Sequence, residues 1–156
     1  MIATVANRPD SLAARIDKVR SALEAVPLSL IQLMARVAVA AVFWKSGQAK
    51  IANWDLTVQL FQDEYQVPFL SPNVAASLAT TFELAMPVLL VLGLASRLAT
   101  LPLLGMVLVI QLFVYPQSWA EHLTWATLLL LILTRGAGAI SLDRFIAPFL
   151  FGRKEG

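Results

Sequence analysis

VAASLATTFELAMPVLLVLGL, residues Val74 to Leu94, decides the fold: its 21 residues carry one charge, Glu83, close to the middle. About 20 residues at 1.5 Å rise cross a ~30 Å hydrocarbon core, so a run this long and apolar predicts a membrane-spanning helix. A carboxylate at that depth is costly and rarely faces lipid. Pro87, four residues on, has no N–H, and its ring crowds the carbonyl of residue 83. Glu83 therefore marks a place with an acidic side chain and a freed backbone carbonyl, and the rest of the chain can be read for its partners.

Three more apolar blocks, at 28–46, 98–115 and 119–135, bring the expected spans to four. Hydrophobic residues make up 58% and charged residues 14% of the 156, with mean hydropathy +0.73, too apolar for a soluble domain of this size. The expected fold is all-α: an integral membrane, antiparallel four-helix bundle over residues 28–135, with short interfacial helices at the N- and C-termini. Residues 1–27 form the first amphipathic segment. Leu12, Ile16, Val19 and Leu23 recur there at helical spacing, Arg15, Lys18 and Arg20 take other faces, Asp10 or Ser11 is the cap, and Pro27 closes the helix. Such a segment suits either an anionic leaflet or a plain lead-in to the first span. Residues 136–156 form a cytoplasmic amphipathic tail, capped by Ser141, with Phe145, Ile146, Phe149 and Leu150 on its apolar side. No signal peptide is expected, because the first apolar block begins only near Leu28 and lacks a small-residue cleavage pattern.

The junctions carry their own signals. Leu56, Leu60, Phe61 and Tyr65 suggest a short surface helix in the loop 47–73, and Ser71-Pro72 makes an N-cap and first-turn pair. Gly93 to Arg97 leaves only a tight turn between the second and third spans. Ser118-Trp-Ala-Glu121 has the pattern of a capping box, and Arg135-Gly-Ala-Gly138 that of a helix stop. Of the 12 basic residues, nine (Arg8, Arg15, Lys18, Arg20, Arg97, Arg135, Arg144, Arg153, Lys154) fall on one side of the expected spans and two, Lys45 and Lys50, on the other. Both termini are therefore expected in the cytoplasm, in a multi-pass membrane protein.

Composition also excludes chemistry. With no Cys, the chain cannot itself supply disulfides, thiol redox groups or thiolate ligands, and its one His cannot supply a bis-His haem. No metal site and no intrinsic cofactor are indicated. The net charge of +2 is spread over membrane edges, not gathered in a patch for nucleic acid.

Arg36 lies eight residues into the first span and Glu83 nine into the second. Measured from its own end, each is about 12–14 Å deep, so the two are expected to pair near the midplane. Such a pair reads equally as a packing pin or as an ionisable site for a polar ligand, proton or headgroup. Gln111 and Tyr115 share one face of the third span, and His122 and Trp125 one face of the fourth, with Lys50, Trp54 and Trp119 able to close over them. A narrow pocket is thus expected in the outer half of the bundle, its floor at Arg36–Glu83 and its mouth near His122. The candidate ligand-binding residues are Arg36, Lys50, Glu83, Gln111, Tyr115 and His122. Pro87, Gly93, Arg97 and Asp143 are read as structural, the last two serving topology and helix dipoles beside Arg135.

Several short motifs resemble the DoxX family of small four-span bacterial membrane proteins. They are Arg36, Gly47-Gln-Ala-Lys50, Glu83, Gly93-Leu-Ala-Ser-Arg97 and Ser141-Leu-Asp143, in that order over residues 28–145. Gly136-Ala-Gly138 departs from the Gly-Pro-Gly frequent in relatives. The resemblance implies a compact bundle, and it implies a link to quinone-dependent oxidation of sulfur compounds and to membrane-associated oxidoreductase complexes. Three functions stay open. The chain is an accessory subunit of a membrane-bound oxidoreductase, holding a quinone-like amphiphile and needing a redox partner subunit for electrons. Alternatively it is an assembly scaffold whose polar residues only specify packing, or a small-solute carrier, for which four spans are few and no inverted repeat is seen. Membrane lipid and a second copy of the chain are further candidate partners.

Overall fold

Apolar periodicity becomes seven helices in the computed structural model, which describes residues 12–151, with side chains to Ile146. They are α1 (Leu12–Glu24), α2 (Leu28–Ala52), α3 (Trp54–Leu60), α4 (Pro72–Leu92), α5 (Ser96–Val109), α6 (Trp119–Arg135) and α7 (Leu142–Phe151). Two wide π-helical turns extend α3 through Phe61–Tyr65 and α5 through Ile110–Val114. α2, α4, α5 and α6 form an antiparallel bundle in which α2 packs on α4 and α6, and α5 on α4 and α6. Among the described residues, α2, α4 and Ser96–Val114 are long and apolar enough to cross a membrane, while α6, at 17 residues, is shorter.

The bundle has two unlike ends. At the hairpin end, α4 stops at Gly93, whose φ of 70° no other residue adopts as cheaply. Gly93 N–H bonds the Leu90 carbonyl (3.1 Å) and Leu94 N–H that of Leu89 (2.9 Å), the pairing of a Schellman stop. Ala95 then enters α5 with φ 46°, strained for a residue with a Cβ. That strain is held from outside the hairpin. The Asp143 carboxylate accepts from Ala95 N–H (2.6 Å) and Ser96 N–H (3.1 Å), while Asp143 N–H donates to the Gly93 carbonyl (2.9 Å). Asp143 thus caps α5 across 47 residues, supplying an acceptor and a negative charge to the helix N-terminus.

Several junction readings need correction. α2 does not end near Ser46 but continues through Gly47, a packing residue, to Ala52. A Cβ on Gly47 would lie 2.8 Å from Leu84 Cδ2 and 3.1 Å from Glu83 Cβ, so its absence lets α2 approach α4. Asn53 ends α2 and caps α3, its side chain accepting from Leu56 N–H at 3.1 Å. Neither Ser71 nor Ser118 makes a side-chain cap bond, so the capping box at 118–121 is not formed. Ser141 donates to the Gly138 carbonyl (2.6 Å) instead of capping α7. The expected α1 is present, with Leu12, Ile16, Val19 and Leu23 all exposed; its proposed caps Asp10 and Ser11 lie outside the described residues.

Packing is solid only toward the hairpin end. Val39, Ala40 and Phe43 of α2, Leu90 of α4, Ala99, Leu103 and Val107 of α5, and Leu129 and Ile132 of α6 form one buried cluster there. At the opposite end, α3 and its π turn fold over α4 and seat Phe61 on Ala75 and Ala76.

Candidate functional site

The expected midplane pair does not form. Gly47 sits against Glu83 and Leu84, and Arg36 is eleven residues earlier on α2, hence about 16 Å nearer the hairpin end. α2 begins some eight residues below that level, so equal distances from the helix ends do not mean equal depth. Arg36, 1% exposed, instead donates from Nη2 to the Ile140 carbonyl at 2.6 Å, with Asp143 as the nearby opposite charge. Its guanidinium fills the space beside Gly93, where a Cβ would collide with both Arg36 and Ser141. Arg36, Gly93, Ser141 and Asp143 therefore form one structural knot that ties α2, the α4–α5 turn and the segment before α7. Gln32, which sequence reading passes over, extends it by donating to the carbonyls of Arg135 and Gly136, both at 3.1 Å, at the end of α6. Arg97 reaches the Thr134 carbonyl at 3.5 Å and makes no ion pair among the described residues.

Glu83 takes Lys50 as its partner. Lys50 Nζ lies 2.9 Å from Oε1 and 2.8 Å from Oε2, and Ser46 Oγ donates to Oε1 at 3.1 Å. Lys50 also donates to Ser46 Oγ at 2.8 Å. Only the Oε1 contact is aligned as a hydrogen bond; Oε2 is buried and held by the ion pair with Lys50 alone, in a residue 3% exposed. The spacing from Ser46 to Lys50 puts both on one face of α2, one turn from the close approach at Gly47. Thr57 Oγ1 bonds the Lys50 carbonyl (2.9 Å) and pins α3 over this spot.

The Lys50–Glu83 pair lies on the wall of a cavity of about 540 Å³ between the four bundle helices, away from the hairpin end. Its walls are largely apolar, from Phe43, Phe82, Met106, Val109 and Trp125. Three of the other sequence candidates meet there. His122 is buried on the wall, its Nδ1 2.7 Å from Gln111 Oε1. An amide oxygen only accepts, so Nδ1 carries the proton and Nε2 is the ring nitrogen left for a ligand. Gln111 stands behind it, off the wall, and donates to the Pro116 carbonyl at 2.9 Å. Trp125 stacks obliquely on His122 at 5.3 Å and on Phe43 at 6.1 Å.

Tyr115 closes the end remote from the hairpin. Its hydroxyl donates to Glu64 Oε1 at 2.5 Å, and its ring meets Tyr65 edge-on at 6.1 Å. The bond to Glu64 first, and then burial, hold the Tyr115 hydroxyl well above the ordinary phenol range. Both π turns contribute lining residues, Phe61 and Tyr65 from one and Ile110 and Val114 from the other. The wider backbone re-aims these side chains at the cavity, a use to which π turns are often put. Ser46, Glu64 and Tyr65 were not legible as site residues, since each reads alone as loop or interface polarity. Arg36 and Pro87 lie away from the cavity wall.

The cavity can hold an amphiphile, offering an ammonium paired with a carboxylate and an imidazole nitrogen against apolar walls. Among the described residues, no group of three or more His, Asp or Glu side chains could hold a metal ion. No protein of curated function and no solved structure matches the chain. The DoxX family model matches residues 31–116, from the first turn of α2 to the residue after Tyr115, and so takes in Arg36, Lys50, Glu83 and most of the cavity wall. With more than half of its length matched, the chain belongs to the DoxX family.

Proposed function

We propose that the protein is an accessory subunit of a membrane-bound oxidoreductase system and holds a quinone-like amphiphile in the bundle cavity. The observation that carries this reading is a largely apolar cavity of about 540 Å³ with Lys50, Glu83 and His122 on its wall. Its size falls in the ~300–1,000 Å³ range of small-molecule sites, and a few convergent polar groups on apolar walls are what orient such a ligand. Lys50 can donate to a quinone carbonyl, and His122 Nε2 and the Glu83 carboxylate can accept from the hydroxyls of the reduced form. With no Cys and one His, the chain is not equipped to hold a redox centre by itself, which supports a partner subunit as the source of electrons. An open interior favours this over the scaffold reading, in which the polar residues would serve packing alone. The basic residues at the hairpin end support a topology with both termini in the cytoplasm and the cavity in the outer half of the membrane.

The test uses Trp125, which lines the cavity, as sole reporter after Trp44, Trp54 and Trp119 are changed to Phe. A short-chain quinol, kept reduced, is expected to quench it saturably, with affinity at least about tenfold lower in Glu83→Gln and in His122→Ala, the loss of one hydrogen bond to a charged or oriented acceptor. Linear, unsaturable quenching, or equal affinity in all three proteins, would refute the proposal.

A further inference from the structure

The exposed face of α5 carries a stripe at helical spacing: Leu98, Leu101, Gly105, Leu108, Leu112. Four leucines suit a face turned to lipid. The glycine in their midst costs about 1 kcal/mol of helix stability relative to alanine and needs a reason. Small residues in membrane helices usually let a neighbouring helix come close. That reason fails here, because a Cβ built on Gly105 meets nothing within 4 Å. Gly105 nonetheless lines the cavity, as does Leu78 of α4, which is 44% exposed. α4 and α5 pack on each other on the hairpin side, where Leu90 shares a buried cluster with Ala99 and Leu103, and the lining residues Leu78, Phe82, Gly105 and Val109 include none of that cluster. The cavity thus reaches the outside of the bundle through the gap between α4 and α5.

The remote end is differently built. α3 and its π turn cover it, Phe61 is seated on Ala75 and Ala76, and Tyr115 is bonded to Glu64. At that end the cavity is bordered by Tyr115, Ser118 and Glu121, a polar rim crossed by those contacts. The side at Gly105 is bordered by the apolar Leu78, Phe82 and Val109, and a Cβ on Gly105 would meet nothing within 4 Å.

We infer that the cavity is loaded sideways from the bilayer, and that the gap at Gly105 is a portal occupied by a single hydrocarbon chain of the bound amphiphile. This rests on the proposed ligand class and adds the position of its tail. The head lies at Lys50, Glu83 and His122, and the chain passes between Phe82 and Gly105 into the surrounding lipid. A tailed amphiphile never leaves hydrocarbon on entering by this route, so its transfer carries no cost of exposing the chain to water, about 0.8 kcal/mol per CH₂.

The protein reconstituted in phospholipid discs containing a phospholipid with a photoactivatable diazirine at mid-chain provides the test. Irradiation and peptide mass spectrometry are expected to find adducts inside the cavity, on Met106 and Trp125, besides those on the outer Leu112–Phe113 face. Gly105→Trp, which fills the gap, is expected to cut the interior adducts about tenfold and leave the outer ones unchanged. Gly105→Leu, which restores the stripe and favours the helix, is expected to cut them less, and Gly105→Ala hardly at all. Absence of interior adducts in the unaltered protein overturns the portal. So does equal interior labelling in the Trp and Leu variants, and a Trp variant that keeps its labelling but changes oligomeric mass marks Gly105 as a contact between copies. Interior labelling without quinol binding overturns the proposed ligand alone, and quinol binding without interior labelling overturns the portal alone.

Discussion

Removing one member of the Lys50–Glu83 pair separates this structure from the arrangement that helix-end distances suggest. At 2.8 Å and an effective dielectric of 20, the gross attraction between the two charges is ~6 kcal/mol. Most of this offsets desolvation, so the quantity to measure is the cost of leaving one charge alone, ~3–5 kcal/mol when a buried pair is broken. The Lys50 side chain is 15% exposed and Ser46 remains as a partner, which places Glu83→Gln at the lower end, near ~3 kcal/mol. Lys50→Met with Glu83→Gln removes both charges and is expected to recover most of that loss. Arg36 supplies the control. It lies about 16 Å from Glu83 along the helix axes, where additivity within ~0.5 kcal/mol is the rule.

The assay is reversible unfolding of the protein in mixed micelles as the fraction of denaturing detergent rises, followed by far-ultraviolet circular dichroism. Two double-mutant cycles are run, Lys50→Met with Glu83→Gln and Arg36→Met with Glu83→Gln. The first is expected to show a coupling of ~2 kcal/mol or more and the second less than ~0.5 kcal/mol. Full additivity in the first cycle, or the larger coupling in the second, would refute the pairing seen here.

Gly47→Ala puts a Cβ 2.8 Å from Leu84 and 3.1 Å from Glu83; α2 and α4 are expected to part at a cost of ~1–3 kcal/mol by the same unfolding assay, with quinol affinity falling as Glu83 shifts. Asp143→Ala leaves the Ala95 and Ser96 N–H groups without their acceptor and is expected to cost ~1–2 kcal/mol, while Asp143→Asn, which keeps an acceptor but loses the charge, costs about half as much. The Tyr115–Glu64 latch is readable by pH. Because the folded Tyr115 pKa is raised, the latch contributes fully below the unfolded value of ~10 and is lost only as pH rises through the elevated folded value. In a Tyr65→Phe background, where Tyr115 is the one tyrosine left, near-ultraviolet phenolate absorbance is expected to appear later than in a free phenol, and Glu64→Gln to bring it back toward the ordinary range; unchanged titration in that variant would exclude the latch.

The all-α bundle was legible because long apolar blocks leave the chain few other folds; three of them became helices long and apolar enough to cross a membrane, and the fourth became the shorter α6, Trp119–Arg135. Glu83 was legible as a lone charge in such a block. Its partner was not, since depth counted from span ends assumes that α2 and α4 enter level, and only tertiary register decides that. One signal of the register was present: Gly47 followed by the good helix formers Gln48, Ala49 and Lys50, which suits a close helix approach better than a stop. Reading Gly47 that way brings Lys50, one turn on, to the α4 face of α2. Arg36 offered no comparable clue, because its hydrogen-bond partner is a backbone carbonyl 104 residues away. The motifs that carry the family likeness then separate by position. Arg36, Gly93, Ser141 and Asp143 hold the hairpin end together, while Lys50 and Glu83 face the cavity. This division bears on topology too. Lys50 is neutralised by Glu83 inside the bundle and is no free interfacial charge, so Lys45 is the one basic residue left to count at the remote end. Nine against one is a steeper asymmetry than nine against two, and it strengthens the expectation that the hairpin end faces the cytoplasm and the cavity the outer leaflet.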